Sequence, residues 1–119
     1  MKDIWKESKY FDLWSINHLL SGGVLAGLFI LFGLKFGVGL LISFVLMLTW
    51  ELYEFFGPIK ERISNQAMDM IEGVLGFLIA YPLILNSNFI SRIVSFSILT
   101  FLFLFLEIWG FLAYKKRNR

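Results

Sequence analysis

One histidine and four glutamates, His18, Glu51, Glu54, Glu72 and Glu107, interrupt stretches of sequence that are otherwise almost wholly apolar. Asn65 and Asp69 lead into Glu72 with a spacing of four and then three, so the three share one face of a helix. An imidazole among carboxylates permits three chemistries. It can hold a divalent cation, and mixed nitrogen and oxygen donors suit zinc, manganese or iron. It can relay protons, with histidine as the group that titrates nearest neutrality. Or the groups can bond one another between helices and do no chemistry. For a metal, the expected ligands are His18, Glu51 and Asp69, within a wider polar cluster that takes in Glu54, Asn65, Glu72 and Glu107.

The elements that must position these groups follow from hydropathy. The 119 residues are 58% hydrophobic and include 14 Phe, an excess that a water-soluble domain would not carry. Mean hydropathy is +0.74. Four apolar stretches, about 14–34, 36–56, 68–85 and 93–114, each have the length of a membrane-crossing helix. The expected fold is all-α: one domain, with four transmembrane helices in a single antiparallel bundle. Lys35 and the Gly37-Val38-Gly39 neighbourhood predict the first turn, and Pro82 with Asn86-Ser87-Asn88 predicts the end of the third helix. With no cysteine, disulfides, zinc–thiolate sites and iron–sulfur clusters are excluded.

Four spans put both chain ends on one side. Of the 11 basic residues, Lys35 and Arg92 fall on the other side; Lys2, Lys6, Lys9, Lys60, Arg62, Lys115, Lys116, Arg117 and Arg119 share the side of the termini. That bias predicts cytoplasmic termini. Trp5, Trp14, Trp50, Tyr53, Trp109 and Tyr114 are placed as an interfacial belt at that level, and Tyr81 at the opposite one. The first span holds Asn17 and His18 and lacks a convincing cleavage site, so it reads as a permanent helix. Residues 1–12 read either as a short amphipathic helix on the membrane surface or as a basic flanking tail.

In this topology every span contributes a polar group to the cytoplasmic third of the bilayer. Glu51 and Glu107 lie about 8–10 Å from their helix ends, at 1.5 Å per residue. Charge in hydrocarbon is costly, so these groups face the bundle or a cavity. Gly22, Gly23 and Gly27 on the first helix, and Gly73 and Gly76 on the third, would let backbones approach closely beside the polar groups. Several positions also have simpler readings. Asp69 suits a helix cap or first turn, Asn65 a cap or turn, Glu54 a wet interface, and His18 a bond to nearby backbone.

The polar residues stand in the order Asp12-x5-His18-x3-Gly22, Trp50-Glu51-x2-Glu54, and Asn65-x3-Asp69-x3-Gly73-x2-Gly76-Phe77. Over about residues 12–80 this resembles the VanZ-like group of small bacterial membrane proteins, and a related uncharacterised family with the same three motifs. Leu13 after Asp12, and the Asp-to-His spacing, favour the uncharacterised relative. The resemblance implies a multi-pass helical protein of a bacterial inner membrane, with His18, Glu51, Glu54, Asn65 and Asp69 as the matched positions. It brings no established chemistry.

Three functions are therefore in play. One is an enzyme acting on a lipid or lipid-linked head group, with His18, Glu51 and Asp69 binding metal or acting as acid and base. Another is an accessory membrane protein in which the cluster is interhelical glue. The third is a small proton-coupled carrier. Membrane lipid is the expected partner, with a second copy or another membrane protein beside it; nucleic acid is not expected. No phosphate-binding glycine loop, Gly-x-Ser-x-Gly or His-Glu-x-x-His occurs.

Overall fold

The computed structural model describes residues 4–6, 12–57 and 63–117. They form four α-helices: α1 (Leu13–Leu31), α2 (Phe36–Phe56), α3 (Ile63–Leu85) and α4 (Phe89–Arg117). All four are long and apolar enough to cross a membrane, and the chain is a small integral membrane protein. The bundle measures 46 × 26 × 19 Å, long enough to pass through a hydrocarbon layer of about 30 Å.

Local chemistry sets the helix ends. Asp12 caps α1. Its side chain accepts from the Ser15 N–H at 3.1 Å, and the Ser15 hydroxyl accepts from the Asp12 N–H at 3.0 Å, a reciprocal capping box. Asp12 also accepts from the Asn65 amide at 3.2 Å, so the cap ties α1 to α3. Asp12→Ala is expected to cost about 1–2 kcal/mol, read as a lower unfolding midpoint in detergent by circular dichroism. Asn65→Ala, which leaves the cap itself intact, should cost less.

The turn after α1 comes earlier than the glycine pair predicted. Gly33, at φ +77°, supplies the left-handed residue. The Gly33 N–H donates to the Ile30 carbonyl and the Leu34 N–H to the Phe29 carbonyl, closing a Schellman motif. Gly37 and Gly39 lie inside α2 instead. α3 ends at Leu85, the predicted boundary just before Asn86-Ser87-Asn88, with Pro82 inside its last turn. Asn88 caps α4, accepting from the Ser91 N–H at 2.8 Å, so α4 begins four residues before the predicted boundary.

Contacts between helices show a flattened bundle. α1 and α3 are the central pair, running parallel. α2 packs mainly on α3 and α4 mainly on α1, and among the described residues no Cα of α2 lies within 8 Å of one in α4. Glycine explains the central pair. A Cβ at Gly22 would collide with the Gly73 carbonyl and the Phe77 backbone nitrogen, and one at Gly76 with the Leu19 carbonyl. Bare backbone surfaces thus meet where side chains would force the helices apart. Toward the end away from the termini, Ala26, Phe29, Ile30, Phe77, Tyr81 and Ile84 form the apolar core. Tyr81 is buried and donates to the Leu34 carbonyl at 3.1 Å. It belongs to the core and not to the interfacial belt in which sequence placed it.

The outer faces of α2 and α4 carry exposed Leu, Ile and Phe along their lengths, as lipid contact requires. Residues 4–6 form a turn rather than a surface helix, with Trp5 only 1% exposed. Its indole packs edge-on against Trp14 at 4.8 Å and Trp109 at 5.5 Å, over Gly110. The rest of the expected amphipathic segment lies outside the described residues.

Candidate functional site

The close approach of α1 and α3 fixes what can happen on the side of Gly22 nearer the termini. One turn before Gly22, His18 projects from α1; one turn before Gly73, Asp69 projects from α3. His18 Nε2 lies 3.2 Å from Asp69 Oδ2. The Asp69 side chain is fully enclosed, while the His18 side chain keeps 20% of its surface. From the other flank α2 supplies Glu51, buried at 7% exposure. One ligand atom from each of His18, Glu51 and Asp69 lies within 4.8 Å of the other two.

That spacing has a chemical meaning. Nitrogen and oxygen donors sit about 2.0–2.2 Å from a zinc ion, so two of them on one tetrahedral ion are about 3.3–3.6 Å apart. The trio, whose atoms lie within 4.8 Å of one another, would have to close by up to about 1.3 Å to share such an ion. The donor types suit one: one imidazole and two carboxylates form a mixed set of the kind zinc, manganese and iron accept.

Charge points the same way. Oε2 of Glu51 and Oδ1 of Asp69 are shielded from solvent and accept no hydrogen bond, and Asp69 Oδ2 faces His18 Nε2 alone. Among the described residues no lysine or arginine pairs with either carboxylate. Carboxylates taken out of water without enough donors or counter-charge are strongly unfavourable. A cation, a proton or a charged His18 imidazole must compensate them.

Around the trio the other predicted residues take different places. Glu54 is half-buried one turn further along α2, within electrostatic range of His18. Asn65 is fully buried and donates its amide to Asp12, so it braces the α1 cap. Asp69 is the seventh residue of α3, too deep to be the cap or first-turn residue that sequence allowed. Glu72 is buried at 7%, with Ser15 of α1 beside it. It lies outside the group of ligand atoms that could share one ion. Glu107 is half-buried and accepts a short hydrogen bond from the Asn17 amide of α1. The four helices do bring polar groups to one level, but only three side chains converge closely enough to share an ion.

Two participants escape sequence reasoning. Asn17 is one residue before His18 and so points away from it, toward α4; only the packing of α4 on α1 shows its role. Ser15 reads as an ordinary capping serine, and its place beside Glu72 depends on the α1–α3 crossing. Neither carries a signal in its own neighbourhood.

No family model, curated protein or solved structure matches this chain.

Proposed function

We propose that this membrane protein holds a divalent cation on His18, Glu51 and Asp69 and offers it to a polar head group at the cytoplasmic surface of the bilayer. The observation that carries this reading is the meeting of three ligands from three helices, with buried carboxylate oxygens that have no partner outside the trio. Three protein ligands leave at least one coordination position for water or a ligand, the pattern of reactive rather than closed structural sites. The trio sits one to two turns inside the end of the bundle that carries the termini, where lipid head groups are the polar molecules within reach. Cytoplasmic placement of that end rests on the distribution of basic residues. One chain supplies the full ligand set, and a second copy is not required for it.

A bound cation would act as a Lewis acid toward a phosphoryl or carbonyl oxygen. His18 is the most accessible of the three, its side chain keeping 20% of its surface. Interhelical bonding is the better account of the surrounding residues. Asn17 with Glu107, and Asn65 with Asp12, already satisfy one another across helices; bonds of this kind contribute about 0.6 kcal/mol on average in membranes.

Metal content of detergent-purified protein tests the proposal, with wild type beside His18→Ala and Glu51→Gln. Near one equivalent of zinc, manganese or iron is expected in wild type, and a loss of most of it in each variant. Folded, pure wild type without metal after growth in metal-replete medium would overturn the cation reading and leave the cluster as interhelical bonding.

A further inference from the structure

We infer that the side of the bundle between α2 and α4 receives a phospholipid with an amine in its head group, the ammonium seated between Glu54 and Glu107 and the phosphate toward the cation position. The phosphate end rests on the metal reading. The amine end rests on Glu54, Glu107 and Asn17 and needs no metal.

The other seams around His18 are filled. Between α1 and α3, backbone meets backbone at Gly22, Gly73 and Gly76. Between α2 and α3, Met47 lies over Gly73. Between α1 and α4, the Trp5 indole packs against Trp14 and Trp109 over Gly110. The α2–α4 side differs. Among the described residues no Cα of α2 lies within 8 Å of one in α4. Yet Glu54 of α2 and Glu107 of α4 lie within electrostatic range of each other, and both of His18. Side chains that couple across backbones so far apart project into the space between the helices. The outer faces of both helices are apolar and exposed, so this side meets lipid directly.

Asn17 narrows the ligand. The residue is 3% exposed, and its amide nitrogen donates to Glu107. Its Oδ1 is shielded from solvent and accepts no hydrogen bond among the described residues. An enclosed acceptor calls for a donor. An ammonium group carries three donors and no acceptor. Seated on Glu107, it also comes within reach of Asn17 Oδ1, because that oxygen shares a carbon with the nitrogen that holds Glu107. An anionic head group would instead set like charge against two glutamates. Depth agrees. Glu54 lies three residues beyond Glu51 toward the end of α2, about 4.5 Å nearer the surface. A phospholipid with its acyl chains in the bilayer holds its amine on that side of its phosphate.

Native mass spectrometry of detergent-purified protein tests the inference. Phosphatidylethanolamine and phosphatidylglycerol with the same acyl chains are titrated in turn, with metal content determined on the same samples. Wild type should bind the amine lipid about tenfold more tightly, the equivalent of one charge-assisted hydrogen bond. Glu54→Gln and Glu107→Gln should each take away most of that preference and keep the metal. Glu54 is half-buried and accepts no bond from Asn17, so its variant reports even where Glu107→Gln loosens the fold. Equal affinity for the two lipids in wild type, or a preference unchanged in Glu54→Gln, would overturn the amine site. Glycerophosphoethanolamine, the head group without acyl chains, should compete weakly; competition as strong as the lipid's would overturn the lipid as ligand. Chelation should weaken both lipids and leave their ratio. Affinities that ignore chelation would remove the phosphate end. Wild type without metal whose preference still falls in the variants would end the cation reading and uphold the amine site.

Discussion

Gly76→Leu is expected to part α1 from α3 and to destabilise the protein by about 3 kcal/mol or more, at or beyond the upper end of ordinary overpacking. A Cβ at this position meets the Leu19 carbonyl, an atom of a helix backbone. Side chains can swing out of the way; a hydrogen-bonded backbone cannot, so the whole helix has to move. Two other glycines calibrate the effect. At Gly23 the nearest atoms, at 3.4 Å, belong to the flexible Leu99 side chain, so Gly23→Ala should be mild. At Gly37 nothing lies within 4 Å, and Gly37→Ala should be neutral or stabilising by up to about 1 kcal/mol, since glycine weakens a helix interior. Unfolding midpoints in mixed micelles order the three. Similar losses at all of them would mean that the close crossing of α1 and α3 does not hold the bundle together. Because His18 and Asp69 lie one turn from that crossing, Gly76→Leu should also strip the protein of metal.

Asp69→Asn separates the cation reading from the glue reading by metal affinity. As a ligand, Asp69 is shared between His18 and the cation position, and its replacement should weaken metal binding by more than the ~10–100-fold typical of outer-shell changes. In metal-free protein the same substitution weakens the contact between Asp69 Oδ2 and His18 Nε2, 3.2 Å apart, so stability should fall by about 0.6–1.7 kcal/mol. Were Asp69 only an interhelical bond to His18, that loss would come with no change in metal binding. Titration with manganese, followed by electron resonance, gives the affinity. Unfolding in the presence of chelator gives the stability. Lowered stability without metal, together with unchanged metal binding, would end the cation proposal.

Much of this arrangement could be read from the chain because bilayer physics leaves few options. Apolar length gives the helices. Helical spacing correctly grouped Asn65, Asp69 and Glu72 with Gly73 and Gly76, since residues three and four apart must share a face. It could not say what that face meets. Sequence neighbours such as α1 and α2 are natural packing partners, yet the central pair is α1 and α3, because only there do glycines on two helices coincide. The same gap explains the polar residues. Glu72 and Asp69 are three apart and equally suited to metal by type, but their distance from His18 and Glu51 differs, and that distance belongs to the crossing. Glu107 lacks a partner on its own helix, and its neighbour Asn17 sits on a helix whose packing against α4 leaves no local trace. Trp5 was misplaced at the interface because an indole beside lysines resembles an anchor. The notch that buries it is made by Gly110, far along the chain.

The bond between Asn17 and Glu107 joins residues 90 positions apart, and Trp5 waits for Trp109 and Gly110 in the same way. Synthesis of the intervening chain takes about 5–20 s at typical elongation rates. Through that interval α1 is in or near the membrane with an asparagine that has no mate and an indole with no notch. Until its last helix arrives, the newborn chain lacks the carboxylate to which the Asn17 amide donates, so a chain stopped short of α4 would leave that amide without this bond in the bilayer.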